Sequence, residues 1–293
     1  MSRTTRRQWV KQVTGLVAMA AAGRSIGADA VKGDGLTFGV ITDAHYADRD
    51  PAGARHYRDS KAKVRQAVDA FIDAEPAFCV HLGDLVDKGE TVEAELQYLA
   101  AIEEEYARFP GPRHYVFGNH DVATLTKAQY LENCAARERY YSFDGGAFHF
   151  VVLDACYNED ESDYEPDNFT WTETYIPTRE RDWLREDLAA TDLQTVVLGH
   201  QRLDADDDPH GIRNAALTRE ILEASGQVRA VFQGHDHRGA HNVIEGIDYV
   251  TFQAVVTGAG LESNAYALVH LGRDGGIEVA GYGRQASLTL APG

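Results

Sequence analysis

The chain has 293 residues, and 46 acidic against 28 basic side chains give a formal net charge of −18 with histidine neutral. Such a surface repels phosphate backbones, which excludes a non-specific DNA- or RNA-binding protein. Hydrophobic residues make up 44% of the chain, so a sizeable core is expected and disorder is not; no run of 18 apolar residues marks a stable membrane insertion. The acid clusters at 159–161 and 206–208 suit an ordinary solvated surface, and equally a high-salt milieu in which charge is screened. Three cysteines without regular spacing do not form a disulfide framework. Cys79 lies in an apolar run, and one bridge between Cys134 and Cys156 stays open.

At the N-terminus, residues 5–11 read Thr-Arg-Arg-Gln-Trp-Val-Lys. A modest apolar stretch follows from Val13 to Ala22, then Ala28-Asp29-Ala30. This order resembles a twin-arginine export signal with a small-x-small cleavage pattern. The expectation is a removable segment at 1–30, export to a periplasm or the extracellular space, and a catalytic-size domain at 31–293.

In the mature chain, residues 36–41 form a short apolar run and read as a buried strand ending at Asp43. Apolar positions 64, 67, 68, 71 and 72 predict a helix over 60–74, stopped by Pro76. A strand over 78–82 ends at Gly83-Asp84, a helix follows over 92–106, and a third strand over 114–117 ends at Gly118-Asn119-His120-Asp121. Segments 140–143 and 147–153 flank Asp144-Gly145-Gly146, a hairpin signal. Residues 157–177 are acidic and aromatic and read as a surface excursion. A helix over 178–190 precedes a strand over 195–198 that ends at Gly199-His200. A helix near 213–224 precedes a strand over 229–232 that ends at Gly234-His235-Asp236-His237. The tail, 241–290, carries strand patterns with turns at 245–246 and 273–276. No repeat or linker interrupts this order, so one domain of two stacked sheets with outer helices is expected.

Five predicted strands thus end in clusters of imidazole, carboxylate and amide side chains. Ligands gather beyond the carboxyl ends of strands in α/β sheets, so clusters far apart in sequence can converge. Imidazole with carboxylate suits manganese, iron or zinc, and the absence of thiolates points to a hydrolytic centre. The series Asp-x-His, Gly-Asp-x-x-Asp, Gly-Asn-His-Asp, Gly-His and Gly-His-x-His, in order between residues 43 and 237, resembles the calcineurin-like metallophosphoesterase superfamily. The resemblance implies a four-layer α/β/β/α sandwich of two mixed sheets and a site for two divalent ions, manganese favoured. It implies one ion held by Asp43, His45, Asp84 and His237, and a second by Asp84, Asn119, His200 and His235. It gives His120 the role of general acid or phosphate stabiliser, Asp121 that of orienting His120, and Asp87 a supporting place. The implied reaction is attack on phosphorus by a metal-bound hydroxide. Arg55-His56-Tyr57-Arg58-Asp59-Ser60 and the cadence of 254–284 are also similar to the manganese-dependent ADP-ribose/CDP-alcohol diphosphatases. That likeness implies a small nucleotide-linked diphosphate or related phosphoester as substrate.

Arg55 and Arg58 are candidates to clamp phosphate together with Asn119; salt bridges to the next helix are the plain alternative. Trp171 and Tyr175 are more expected to fill space under the excursion than to stack on a base. Seven further histidines, His210 among them, receive no metal role. The chain has no phosphate-loop Gly-x-x-x-x-Gly-Lys, no Gly-x-Gly-x-x-Gly after the first strand and no Gly-x-Ser-x-Gly elbow. A non-catalytic scaffold of the same fold is the alternative reading; its signature would be missing ligands, and every ligand position is filled.

Overall fold

The structure, a computed structural model, describes residues 35–292 apart from Arg137. The segment expected to be an export signal lies outside the described residues. Twelve strands are described. β1 (Leu36–Ile41), β2 (Phe78–His81), β3 (Arg113–Tyr115), β10 (Ala265–Leu271), β11 (Ile277–Gly283) and β12 (Leu288–Leu290) form one sheet in the order β12-β11-β10-β1-β2-β3. β4 (Tyr141–Gly145), β5 (Phe148–Val152), β6 (Gln194–Leu198), β7 (Val228–Gln233), β8 (Ala240–Ile244) and β9 (Ile247–Thr251) form the other, in the order β4-β5-β6-β7-β9-β8. Both sheets are mixed. β1, β2 and β3 run parallel, as do β5, β6, β7 and β9, and the outer strands are antiparallel.

The alternation of side chains along each strand builds the layers. Phe38, Val40, Phe78 and Val80 of the first sheet meet Phe150, Val152, Val196, Leu198 and Phe232 of the second. Phe78 lies 5.0 Å edge-on from Phe150, and Phe38 stacks on Phe78 at 4.9 Å. The opposite face of the first sheet carries α1 (Asp59–Ala74), α2 (Val92–Tyr106) and α3 (Lys127–Asn133), through Val64, Val68, Phe71, Leu99, Ile102 and Tyr130. The opposite face of the second carries α4 (Thr178–Ala189) and α5 (Ala215–Ser225), through Leu184, Leu188, Ile221 and Leu222. The result is the expected α/β/β/α sandwich.

Local chemistry sets the helix limits. α1 closes at Glu75 in the left-handed region (φ 51°), directly before Pro76. Thr91 caps α2 by accepting from the Ala94 N–H. α3, which the sequence pattern did not reveal, opens with a reciprocal Thr126/Gln129 capping box; seven residues are too few for a visible apolar period. The hairpin turn sits one residue later than expected, at Gly146-Ala147, because Gly145 still pairs with Phe148. Cys79, Cys134 and Cys156 are all free, so the open possibility of a bridge is not realised. No helix among the described residues is long and apolar enough to cross a membrane.

One ion cluster ties the hairpin to α4. The buried His149 ring donates to Asp144 Oδ1 at 2.7 Å and to Asp187 Oδ2 at 2.9 Å. Burial works against a charged ring, but the two carboxylates raise its pKa above the ordinary value. A raised folded pKa gives stability that is complete below about 6.5 and is lost as pH rises through the folded value. The melting-temperature gap between the wild type and His149→Gln is therefore expected to be widest near pH 6 and to narrow towards pH 9. A gap that stays constant across that range would show that no proton is linked to this cluster.

Candidate metal centre

The carboxyl ends of β1, β2 and β3 lie side by side, and those of β6 and β7 lie beside each other in the second sheet. Each strand runs straight into one cluster. The clusters are laced together by backbone bonds: Asp43 N–H donates to Gly83 O at 3.0 Å, His45 N–H to Asp84 O at 2.8 Å, and Gly234 N–H to His200 O at 3.0 Å. Hydrogen bonds also cross between the sheets. His200 Nδ1 donates to Leu82 O at 2.7 Å, and His235 N–H donates to Asp43 Oδ2 at 3.1 Å. A Cβ at Gly118 would collide with the Asp84 backbone and carboxylate, and one at Gly234 would collide with Thr42 and Asp43. At these two positions only glycine admits the neighbouring turn.

Asp43, His45 and His237 bring one donor atom each within 4.8 Å of one another, and so do Asp84, His200 and His235. Asp84 Oδ2 lies 3.4 Å from His45 Nε2 and 3.1 Å from His200 Nε2, so it stands between the two groups. His45 Nε2 and His237 Nε2 face each other at 3.1 Å, each about as close to Asp43 Oδ1, at 3.5 and 3.4 Å. Asn119 is buried beside the strand-end turn that also carries His120.

Three observations fit divalent cations to these residues. Asp43 Oδ1, Asn119 Oδ1, His200 Nε2 and His235 Nε2 are all buried without a hydrogen-bond partner. Each such atom costs about 1–3 kcal/mol unless something binds it. Asp43, His45, Asp84 and His235 all have positive φ (52°, 43°, 55° and 69°), a further cost of roughly 1–3 kcal/mol each. The bond from His200 Nδ1 to Leu82 O also fixes the tautomer that leaves Nε2 as an acceptor.

The electrostatics agree. Burial opposes the Asp84 charge, but His200, His120 and His45 hold its carboxyl well below the usual range. Burial likewise opposes the Asp43 charge, and His200, His237 and His45 hold it down. Burial disfavours charged rings at His45 and His200, yet neighbouring Asp84 raises each to about 9. Protons there occupy sites that cations compete for. Burial lowers His235 and His237, which leaves them as neutral ligand-type imidazoles.

His120 stands at the rim of this cluster. Its ring lies 4.5 Å from the His45 ring and its N–H donates to Asp84 Oδ1 at 2.8 Å. The expectation that Asp121 orients His120 is corrected. Asp121 points inward and accepts the N–H groups of Asp84, Leu85, Val86 and Gly118 at 2.8–3.2 Å. It braces the Asp84 turn, while burial and the Asp84 charge push its own pKa up to about 7. The residue that holds the His120 side chain is Asp87, with Oδ1 3.1 Å from Nδ1. Arg55 reaches the site, with Nη1 3.2 Å from Asp87 Oδ2. Arg58 does not: it is exposed and engaged by Asp48 and Asp50 at 2.5 and 2.7 Å.

Arg49 is a site residue that the sequence did not disclose. It pairs with Asp87 Oδ1 at 2.6 Å and lies over the Tyr57 ring at 4.0 Å. Nothing in the string Asp48-Arg49-Asp50 separates this role from a surface ion pair. The expectation that Trp171 fills space under the excursion is also corrected, because its indole is 42% exposed and stands 5.5 Å from the His235 ring.

Residues 36–239 match the calcineurin-like phosphoesterase family. The chain belongs to that family. The phosphoesterase is 25% identical over 272 residues to a protein of Oryza sativa subsp. japonica named manganese-dependent ADP-ribose/CDP-alcohol diphosphatase, covering 75% of this chain and 84% of the relative. It is also 25% identical over 255 residues to the Mus musculus serine/threonine-protein phosphatase CPPED1, covering 82% and 78%. A solved structure described as a dimetal phosphatase from Danio rerio superposes with a TM-score of 0.77 at 22% identity, covering 88% of this chain and 99% of that one; this likeness speaks to the fold. The protein is thus a metal-dependent hydrolase of phosphate ester bonds.

If cations relieve the orphaned donors and the strained turns, they stabilise the folded chain. At a hundredfold excess over the dissociation constant the gain is about 2.7 kcal/mol, roughly 5–11 °C for a domain of this size. Chelation is expected to lower the melting temperature by that order and manganese to restore it. An unchanged melting curve after demonstrated removal of metal would refute the coupling.

Proposed function

We propose that this phosphoesterase cleaves a small nucleotide-linked diphosphate, with two divalent ions held by the residue sets that share Asp84. One set is Asp43, His45, Asp84 and His237; the other is Asp84, Asn119, His200 and His235. The observation that carries the reading is the position of the Asp87–His120 pair directly beside that double cluster. Manganese is the favoured ion on two grounds: the mixed imidazole–carboxylate donors and the names of the relatives from Oryza sativa subsp. japonica and Xenopus laevis.

When bound, divalent ions supply Lewis-acid activation of water and offset phosphoryl charge. The side chains do the rest. Asp87 takes up His120 Nδ1, so Nε2 is the nitrogen left to face the substrate and to give a proton to the leaving oxygen. Arg49 and Arg55 place two guanidinium groups next to Asp87, where they can receive the oxygens of a second phosphate. These two cations answer how an anion approaches a protein of net charge −18. The chain in this reading works outside the cytoplasm, with residues 1–30 as its export address; the ordered Arg6-Arg7, apolar stretch and Ala28-Asp29-Ala30 support that reading.

The test is a panel of ADP-ribose, CDP-alcohols, cyclic nucleotides and p-nitrophenyl esters, assayed with manganese, iron and zinc. The proposal expects diphosphates with manganese to give the highest kcat/KM. Preference for a cyclic nucleotide or a simple monoester would overturn the substrate class. His120→Ala is expected to lose roughly 10²–10⁴-fold in kcat on substrates with poor leaving groups and far less on p-nitrophenyl esters. Asp87→Asn is expected to lose about 10–100-fold with the same dependence on leaving group. A uniform loss across leaving groups would remove the acid role from His120.

A further inference from the structure

On the His235 side of the centre, opposite in kind to the Arg49–Arg55 side, stand an indole and an imidazole that the reaction has not used. Trp171 is one of only four large hydrophobic side chains exposed among the described residues. It is not on a loose loop. The hydroxyl of buried Tyr164 donates to Thr170 O at 3.3 Å and to Glu173 O at 2.9 Å, bracketing Trp171 from beneath. Glu173 N–H closes the turn on Thr170 O at 2.8 Å, and Arg213 N–H holds the next carbonyl, Thr174 O, at 2.9 Å. Tyr164 itself stacks on Phe169 at 4.1 Å. The turn is thus pinned with the indole open to solvent beside the His235 ring.

His210 faces the same space. Its ring lies 5.5 Å from Trp171 and 5.3 Å from His235. Asp208 Oδ1 accepts from His210 Nδ1 at 2.6 Å and from its backbone N–H at 2.8 Å. With Nδ1 taken, Nε2 is left for a ligand. The His210 carbonyl accepts from Arg202 N–H at 3.0 Å, and the Arg202 guanidinium joins Asp204 to Asp236. The loop that carries His210 is therefore fixed to the turn that carries His235 and His237.

We infer that Trp171 and His210 form a specificity subsite for a planar heterocycle attached to the substrate phosphate, the ring stacking on the indole while His210 Nε2 bonds to its polar edge or its sugar. An aromatic platform beside a charged phosphate site is a general means of holding a base. The inference rests on the phosphoesterase reading and adds the residues that select the organic part of the substrate.

The experiment measures binding of adenosine 5′-monophosphate, ribose 5-phosphate and inorganic phosphate to the manganese-loaded full chain by calorimetry. The first two differ only in the base. The wild type is expected to bind the nucleotide about 10-fold or more tightly than ribose 5-phosphate. In Trp171→Ala the two constants are expected to converge through loss on the nucleotide, and Trp171→Phe is expected to keep most of the preference. His210→Ala is expected to weaken the nucleotide more than inorganic phosphate. Melting curves establish that each variant is folded, and Trp171→Leu replaces the alanine variant if that one is not. Equal binding of nucleotide and ribose 5-phosphate by the wild type, or equal loss on both in the Trp171 variants, would overturn the subsite while leaving the metal site standing. Failure of all three ligands to bind would instead overturn the proposed reading of the centre as a site for nucleotide-linked phosphates.

Discussion

The structure depends on one arrangement: a buried carboxylate, Asp84, placed where the carboxyl ends of two different sheets meet. Its Oδ2 faces His45 from the first sheet and His200 from the second, at 3.4 and 3.1 Å. Its Oδ1 accepts the N–H of His120. Four backbone donors to Asp121 hold the Asp84–Val86 turn and Gly118 in register. A carboxylate so buried, among rings that compete for protons, is a poor structural feature and a good cation ligand. Unsatisfied donors and left-handed turns gather around it, and the described fold makes sense energetically when positive charge is bound there.

The rest of the fold serves that junction. Hydrophobic packing between the sheets fixes the height at which the strands end. Phe38, Phe78, Phe150 and Phe232 fill the interface, so a strand that slipped by one residue would turn its core face outward and misplace its terminal cluster. Lys63, buried in α1, donates to the carbonyls of Val255, Thr257 and Gly258 at 2.6–3.1 Å. That staple braces the loop whose Val255 and Val256 N–H groups hold Thr42 and Asp43. The site is therefore set by contacts from α1, both sheets and the 254–258 loop. Function adds two unlike walls: guanidinium groups beside Asp87, and an indole with an imidazole beside His235. A substrate with phosphate at one end and a ring at the other has complementary surfaces on both sides.

Much of this was legible in the sequence. Strands read as buried apolar runs, and every ligand cluster sat at a strand end because parallel strands present their carboxyl ends on one edge of a sheet. The helix at Val92–Tyr106 was visible in full from Leu96, Leu99 and Ile102. What stayed hidden was contact between residues that share no element. Asp121 adjoins His120 in sequence and Asp87 lies 33 residues away, yet it is Asp87 that holds the ring while Asp121 braces the Asp84 turn. Arg49 is flanked by Asp48 and Asp50 and Arg58 by Asp59, yet the first turns inward to Asp87 and the second outward. Trp171 and His210 lie in irregular segments, where no periodicity reports which side chain faces the site. The short helix at Lys127–Asn133 was missed for want of length.

The most direct test is a count of metal. Chain stripped of metal and titrated with manganese, with elemental analysis of the dialysed product, is expected to hold two ions per chain, and Asp84→Asn is expected to lose tight binding at both positions because both residue sets include that side chain. A wild-type chain that takes up no manganese, or an Asp84→Asn chain that still holds two ions with unchanged affinity, would contradict the account.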